Sequence, residues 1–439
     1  TFMLSHTDAQ IRTLHETLMV VSDPDSESYG HHLTRDEVAR IVELPGAVSA
    51  VGGWLRAAGA EPTQSPTRDS LAVNLTCAKA EELFGTQLYS YQHDDLPGRP
   101  IIRAARAYSL PSSIAPHVSV VAPLARFPRV DRPQLVGDSE EDAESSGWDS
   151  GCGRGCNNKV TPKILTQRYK LGEVPSGPAL GSMAVAEFQG VMWAQKGLDT
   201  FADSCHLPPF TVDHQVGPER NLSCALIPYI GGPNCVEAML DIEVIKGLGG
   251  SIPLTDFYTQ NYNLEKWATA LNALGDGELP LVHSVSYGND ERQQSGDAYM
   301  QSVNAELMKL GARGATVLFA SGDQGVWGRT GMPKKGVFNP DFPTSSPYVT
   351  SVGGTDFAKR SVVGDETAWR DGGGGFSNAF GMPDYQKAAV RAYLGQIGDD
   401  PPSSYYNATG RAYPDVAALG GEVNPYCVVT LKVPRPPRL

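Results

Sequence analysis

No apolar run in these 439 residues approaches the ~18 needed for a membrane-crossing helix, so nothing in the sequence reads as a bilayer span. Basic residues are in deficit. Thirty-six Lys and Arg face 49 Asp and Glu, a formal net charge of −13, which removes the basic footprint that nucleic acid requires. The nine histidines show no metalloprotease spacing. His15-Glu16 is followed by Met19 where the second ligand would stand, and His31-His32 reads as a surface loop. Gly372-Gly373-Gly374-Gly375 lacks the Lys-Ser/Thr of a phosphate loop, which argues against nucleotide binding. Thr1 is not an initiator Met and no signal peptide follows it, the pattern of a start that was trimmed or never captured.

What is present points to a globular chain of two or three domains, with 41% apolar residues to fill ordinary cores. The net negative charge would shrink in acid as carboxylates protonate, which is compatible with an acidic compartment. Seven cysteines (Cys77, Cys152, Cys156, Cys205, Cys224, Cys235 and Cys427) neither exclude nor demand an oxidising one. Asn-x-Ser/Thr sequons at Asn74, Asn221 and Asn407 lean toward the secretory route and a glycosylated surface. Cys152 and Cys156 could form a metal half-site. No second pair at ligand spacing accompanies them, so a disulfide or idle thiols is the better reading.

Periodicity divides the chain. Ile11, Leu14, Leu18 and Val21 share one helical face over 6–21, and Asp23-Pro24 ends that helix. Thr34-Arg35-Asp36-Glu37 is a capping box that starts a short helix with Val38, Ile41 and Val42. A third helix carries Val48, Val51, Trp54 and Leu55. Alternation over Leu71–Leu75 predicts a strand, followed by a helix around 78–83 and a strand at Leu88–Tyr91. This is a small α+β unit without a catalytic cluster. An acidic run from Asp138 to Glu144 and a Ser/Gly-rich stretch then predict an exposed, cleavable linker. Beyond about 160, apolar strands (Ser182–Phe188, Leu281–Tyr287, Ala315–Ala320) alternate with helices (Val236–Lys246, Asn263–Leu274, Asp297–Gly311). That alternation predicts a mostly parallel α/β sheet with its chemistry beyond the strands' carboxyl ends.

Glu237 and Asp241 stand four apart, so both carboxylates leave one helical face. A solvated face is the plain reading of such a pair. The apolar neighbours Val236, Met239, Leu240 and Val244 leave little polar face, however, and a pair pressed toward a core would have its pKa values driven apart. In Ala320-Ser321-Gly322-Asp323-Gln324-Gly325 a strand runs into a Gly-rich turn. Ser321 there is a possible nucleophile without the Gly-x-Ser-x-Gly setting, and Asp323 is either a protonated hydrogen-bond donor or a turn residue capping its own backbone. His283-Ser284-Val285-Ser286-Tyr287-Gly288 is either a strand that pairs with an extended peptide or plain core.

Six segments in order resemble the sedolisins, the serine-carboxyl peptidases, and within them the lysosomal tripeptidyl-peptidase branch. They are Glu237–Asp241, Ser284–Gly288, Phe319–Asp323, Ser346–Thr350, Gly374–Asn378 and Gly410–Val416, and the resemblance extends back through Tyr29–Val42. It implies a propeptide domain over 1–137, the acidic linker over 138–160 and a subtilisin-like parallel-sheet peptidase domain over 161–439. It also implies a zymogen that works in acid, in the lysosome or secreted, on peptides and proteins, removing tripeptides from free N-termini. In that family Glu237 matches the general base, Asp241 its partner and Asp323 the oxyanion-hole aspartate; Ser284, Ser286 and Gly288 would contact substrate. A Ser-Gly-Thr-Ser stretch is expected soon after Tyr413-Pro414-Asp415-Val416-Ala417. Here no serine follows Ser404, so the expectation is a chain that stops before its nucleophile and before the family's calcium ligands, and that is inactive as it stands. The alternative is a non-catalytic peptide-binding or regulatory homologue.

Overall fold

The computed structural model describes residues 1–92, 100–127, 148–173, 177–218, 235–259, 262–329, 336–360, 362–421 and 423–430. The N-terminal part contains β1 (Phe2–Leu4), α1 (Asp8–Ser22), α2 (Arg35–Val42), α3 (Pro45–Ala57), β2 (Thr63–Gln64), β3 (Ser70–Ala72), α4 (Cys77–Phe84), β4 (Leu88–Tyr91), β5 (Ile101–Ala104) and β6 (Val118–Val121). The expected capping box is formed: Thr34 accepts from the Glu37 backbone while the Glu37 carboxylate accepts from the Thr34 backbone, and α2 starts there. Strands β2-β3-β1-β6 make one antiparallel sheet and β4 and β5 a separate hairpin. Phe2, Leu4, Val51, Leu55, Leu71 and Phe84 fill the core between the sheet and its helices.

The second part contains α5 (Pro162–Tyr169), β7 (Met183–Phe188), α6 (Gln195–Ser204), β8 (His214–Val216), α7 (Val236–Gly249), β9 (Leu254–Thr259), α8 (Leu264–Ala273), β10 (Val282–Val285), β11 (Asn289–Asp290), α9 (Asp297–Ala312), β12 (Thr316–Ala320), β13 (Asp341–Phe342), β14 (Thr350–Phe357), β15 (Glu366–Ala368), β16 (Gly375–Gly381), α10 (Lys387–Ile397), β17 (Gly410–Tyr413) and β18 (Val416–Leu419). The strands β14-β12-β10-β7-β9-β8 run parallel, with β18 parallel on β14 and β15 antiparallel. The parallel α/β sheet predicted from strand–helix alternation is thus observed. Trp267, Phe319, Phe257, Phe188, Val303 and Leu307 are buried in its main core. Among the described residues no single helix is long and apolar enough to cross a membrane.

The two parts dock through α1, α2 and α9. Leu14, Leu18, Val38 and Val42 pack on Met308 and Ala312, and Met3, Val120 and Ala122 join the core of the second part. A charged cluster is sealed in this junction. The Lys309 Nζ, wholly buried, lies 2.7 Å from Asp69 and 2.5 Å from Glu306, and His6 Nε2 is 3.0 Å from Asp69. At the rim the Arg35 guanidinium donates to the Ala273 carbonyl and the Arg35 backbone to Asp276.

The stretch expected as an exposed linker departs from that expectation where it is described. From Trp148 to Val160 it is part of the second domain: Trp148 packs on Phe357, and Ser150, Cys152, Cys156 and Val160 are buried. Cys152 pairs with Cys205 and Cys156 with Cys427, so the two are neither a metal half-site nor bonded to one another. Covalent staples override a composition that reads as loop. Cys235 is also in a disulfide, and Cys77 is an exposed free thiol. The acidic run itself, 138–144, lies outside the described residues.

Candidate active site

Helix α7 runs back along the sheet before β9, so its N-terminus lies at the carboxyl ends of the parallel strands, where α/β chemistry gathers. Glu237 sits in its first turn and Asp241 one turn further on, on the same face. The opposite faces bury Val236, Ala238, Met239 and Ile242, which fixes the helix rotation and holds the acidic face toward the strand ends. Ser286, just past the end of β10, donates to Asp241 Oδ1 at 3.3 Å. Asp241 Oδ2 is buried and hydrogen-bonds to nothing among the described residues. Burial pushes the Asp241 carboxyl up to about 7, against the opposing pull of the Ser286 hydrogen bond. Glu237 sits instead where the helix dipole favours an anion. Asp241 is therefore a member of the pair that holds a proton in mild acid.

The second half of the site is the turn after β12, whose neighbour in the sheet is β10 (Val285 opposite Phe319). Asp323 is exposed on this turn. Its shape comes from backbone packed on backbone. Gly373 N donates to the Gly322 carbonyl at 2.7 Å, and a Cβ on Gly373 would lie 2.0 Å from the Ser321 carbonyl oxygen. Gly322, at φ +104°, adopts a conformation that side chains resist. The glycine run that resembles no phosphate loop is thus the clasp of the Asp323 turn. Ser321 is 3% exposed with its backbone N bonded to Val352, so its hydroxyl is not displayed for attack.

Two buried carboxyls that sequence reasoning missed tie these parts together. Asp341 lies at the base of the site: a Cβ on Gly288 would meet its Oδ1 at 2.7 Å and one on Gly322 its Oδ2 at 3.3 Å. Glu291 accepts from Ser345 Oγ (2.7 Å), from Asn378 N (2.8 Å) and from Ser377 Oγ, and burial pushes its pKa up. Arg411, wholly buried, donates to the carbonyls of Ser346, Val349 and Ala412 and to Asp415. Three of the six sequence segments (346–350, 374–378 and 410–416) are therefore scaffold that braces the strand ends.

Of the two readings of 283–288, peptide-pairing strand or core, Ser284 fits the second. Its strand is internal, with Ser284 opposite Val185 of β7 and Leu318 of β12, so β10 has no open edge to pair with a peptide. Ser286 and Gly288 lie past the end of that pairing, Ser286 half-buried and Gly288 buried against Asp341. Of the sequons, Asn74 is exposed. Asn407 spends its amide nitrogen on the Ser377 carbonyl at 2.9 Å, and Asn221 lies outside the described residues.

Residues 1–127 match the Pro-kumamolisin activation domain. The chain is 39% identical over 438 residues to tripeptidyl-peptidase 1 of Rattus norvegicus, covering 96% of this chain and 73% of the relative. It is 37% identical over 446 residues to tripeptidyl-peptidase 1 of Homo sapiens, covering 97% and 73%. Among solved structures, Pseudomonas sedolisin, a serine-carboxyl proteinase complexed with two molecules of pseudo-iodotyrostatin, superposes with a TM-score of 0.45 at 20% identity, covering 61% of this chain and 72% of that one.

Proposed function

This chain belongs to the sedolisin family of serine-carboxyl peptidases, and on that premise we propose that its carboxylate site serves acid-phase recognition and cleavage of peptides, with tripeptides released from free N-termini. The observation that carries this is the Glu237–Asp241 pair at the head of α7, with Asp241 pushed up by burial beside Ser286. Ionised Glu237 takes the proton of an attacking hydroxyl, and protonated Asp241, one turn away, orients it and shares its charge. Such bases work best where the working pH meets their pKa, which is acidic. Asp323 donates to the developing oxyanion only when protonated, and an ionised Asp323 would repel it; losing such a donor costs about 3–4 kcal/mol of barrier.

The family's Ser-Gly-Thr-Ser stretch does not occur in the 439 residues, and the serines at the site are committed elsewhere, Ser286 to Asp241 and Ser321 to the interior. Neither Ser286 nor Ser321 is therefore placed to be the attacking hydroxyl. The second reading is a peptide-binding or regulatory homologue, which uses the same site without cleaving, and the commitment of Ser286 and Ser321 favours it. Purified protein assayed for tripeptide release from about pH 3 to pH 7 tests the pair of readings. Turnover that disappears in Glu237→Gln supports the first reading and overturns the second; peptide binding that is indifferent to Glu237→Gln and Asp323→Asn overturns the site itself.

Among the described residues no group of three or more His, Cys, Asp or Glu gathers as a metal would require, so no step is routed through the calcium that the family resemblance implies. A lysosomal or secreted location is proposed on the acid chemistry, the disulfides and the exposed Asn74 sequon.

A further inference from the structure

Near the end of the described N-terminal domain, Arg126 leaves that domain and enters the other. Its side chain is 5% exposed, and its guanidinium carbon lies 4.6 Å from the ring centres of both Tyr262 and Tyr299. Nη1 donates to the Tyr299 hydroxyl, which in turn donates to Glu265 Oε2 at 2.6 Å, and Glu265 itself stands 3.9 Å from the guanidinium. Arg103 Nε donates to the Arg126 carbonyl and fixes the backbone from which the side chain projects. All three groups facing the cation belong to the peptidase domain. Two aromatic faces and one buried carboxylate suit a planar cation whose weak hydration makes burial tolerable, which distinguishes a guanidinium from an ammonium. Burial disfavours the Arg126 charge, while Tyr299, Tyr262 and Glu265 favour it and prevail, so the slot as a whole holds the cation.

Its position adds a second observation. The Tyr262 ring stacks on Tyr287 at 5.9 Å, and both meet Phe188 edge-on. Tyr287 directly follows Ser286, the partner of Asp241. The slot's aromatic cluster therefore adjoins the candidate active site along the chain, on the α8–α9 side of the sheet.

We propose that Tyr262, Glu265 and Tyr299 form a guanidinium-binding slot of the peptidase domain, filled by Arg126 in this precursor and open to the arginine side chain of a peptide once Arg126 withdraws. That the competing ligand is a peptide rests on the peptidase reading; the slot itself does not, and its test involves no hydrolysis.

The test uses the full chain with Arg126→Ala, followed by thermal unfolding with N-ethylguanidinium, and with the neutral N-ethylurea as control. The expected result is a saturable rise of about 1–2 °C in the variant at about 10 mM N-ethylguanidinium. N-Ethylurea should give no such rise, the wild type should show none, and adding Glu265→Gln should abolish it. If N-ethylguanidinium moves Arg126→Ala no more than N-ethylurea does, or moves the wild type equally, the slot is refuted. Arg126→Gln keeps most of the side-chain volume and is the second variant, under the same criteria, should the alanine variant fail to fold. A saturable rise with no effect of arginine-containing peptides would keep the slot and overturn its peptide ligand.

Discussion

Replacing Asp69 with asparagine should loosen the junction between the two domains more than any surface change could. Asp69 is 2% exposed and accepts from Lys309 Nζ (2.7 Å), Thr67 Oγ1 (2.7 Å) and His6 Nε2 (3.0 Å). At 2.7 Å and an effective dielectric of about 20, the attraction to Lys309 is about 6 kcal/mol, most of it offset by desolvation of both ions. Removing one partner of such a pair costs about 3–5 kcal/mol because the other charge stays buried. The lower end applies here. Glu306, 2.5 Å from Lys309 on its other side, stays in place as a partner of the ammonium once Asp69 is neutral. About 3 kcal/mol corresponds to roughly a hundredfold rise in the open population. Hydrogen exchange of α1 and α9, the helices on either side of the junction, reads that opening locally, which suits a two-domain chain that need not unfold in one step. Adding Lys309→Met to Asp69→Asn should recover part of the loss, since the stranded cation is removed. The reasoning fails if Asp69→Asn opens the junction by less than about 1 kcal/mol, or if the two substitutions are simply additive.

Acid should not release this junction through the same cluster. The Asp69 carboxyl is held far below its ordinary range: burial opposes this, but Lys309 and His6 prevail, so its contribution is full above the usual aspartate range, declines as pH falls through that range, and is exhausted only well below it. The pKa of Glu306 is raised, so its contribution is full below the ordinary glutamate range and lost as pH rises. Asp241→Asn should remove a component of stability that declines in the wild type between the ordinary aspartate range and about pH 7, where burial has moved this group; pH-dependent thermal unfolding checks it. Burial pushes Glu243 to about 9 while its carboxyl accepts from Val429 N, so Glu243→Gln should change stability at pH 7 by less than about 1 kcal/mol, whereas Glu243→Ala, which strands that donor, costs about 1–3. Gly373→Ala must displace the Ser321–Asp323 turn, since its Cβ would stand 2.0 Å from the Ser321 carbonyl oxygen; peptide affinity measured by calorimetry should fall at least tenfold while the prodomain junction keeps its exchange protection.

Which of these features could be read in advance depended on whether a residue's partners lie nearby in sequence. Glu237 and Asp241 announce themselves because one helix sets both, and the capping box at Thr34 because four consecutive residues hold the entire motif. Asp341 and Glu291 stayed invisible because the atoms they serve, around Gly288, Gly322, Ser345 and Ser377, come from strands far apart in the chain. β9 escaped notice because a central strand carries Thr255, Asp256 and Thr259 into the interior, where Trp193 satisfies Asp256; its polarity hid its burial. The two readings of Ser284 stayed open for another reason. Hydropathy cannot distinguish an edge strand from an internal one, and only the pairing partners of β10 settle the matter.

The disulfides at Cys152 and Cys156 determine what a single cut would do. Both staples bind the stretch after Trp148 to the peptidase domain, while everything before Phe127 is held to that domain by packing, hydrogen bonds and the buried charges. Before a cut anywhere between Phe127 and Trp148, the domains meet as parts of one molecule, and their association does not depend on concentration. Afterwards they obey mass action: the N-terminal piece becomes a dissociable ligand whose occupancy falls on dilution. The new start of the peptidase chain, pinned by two covalent bonds, would stay where it is.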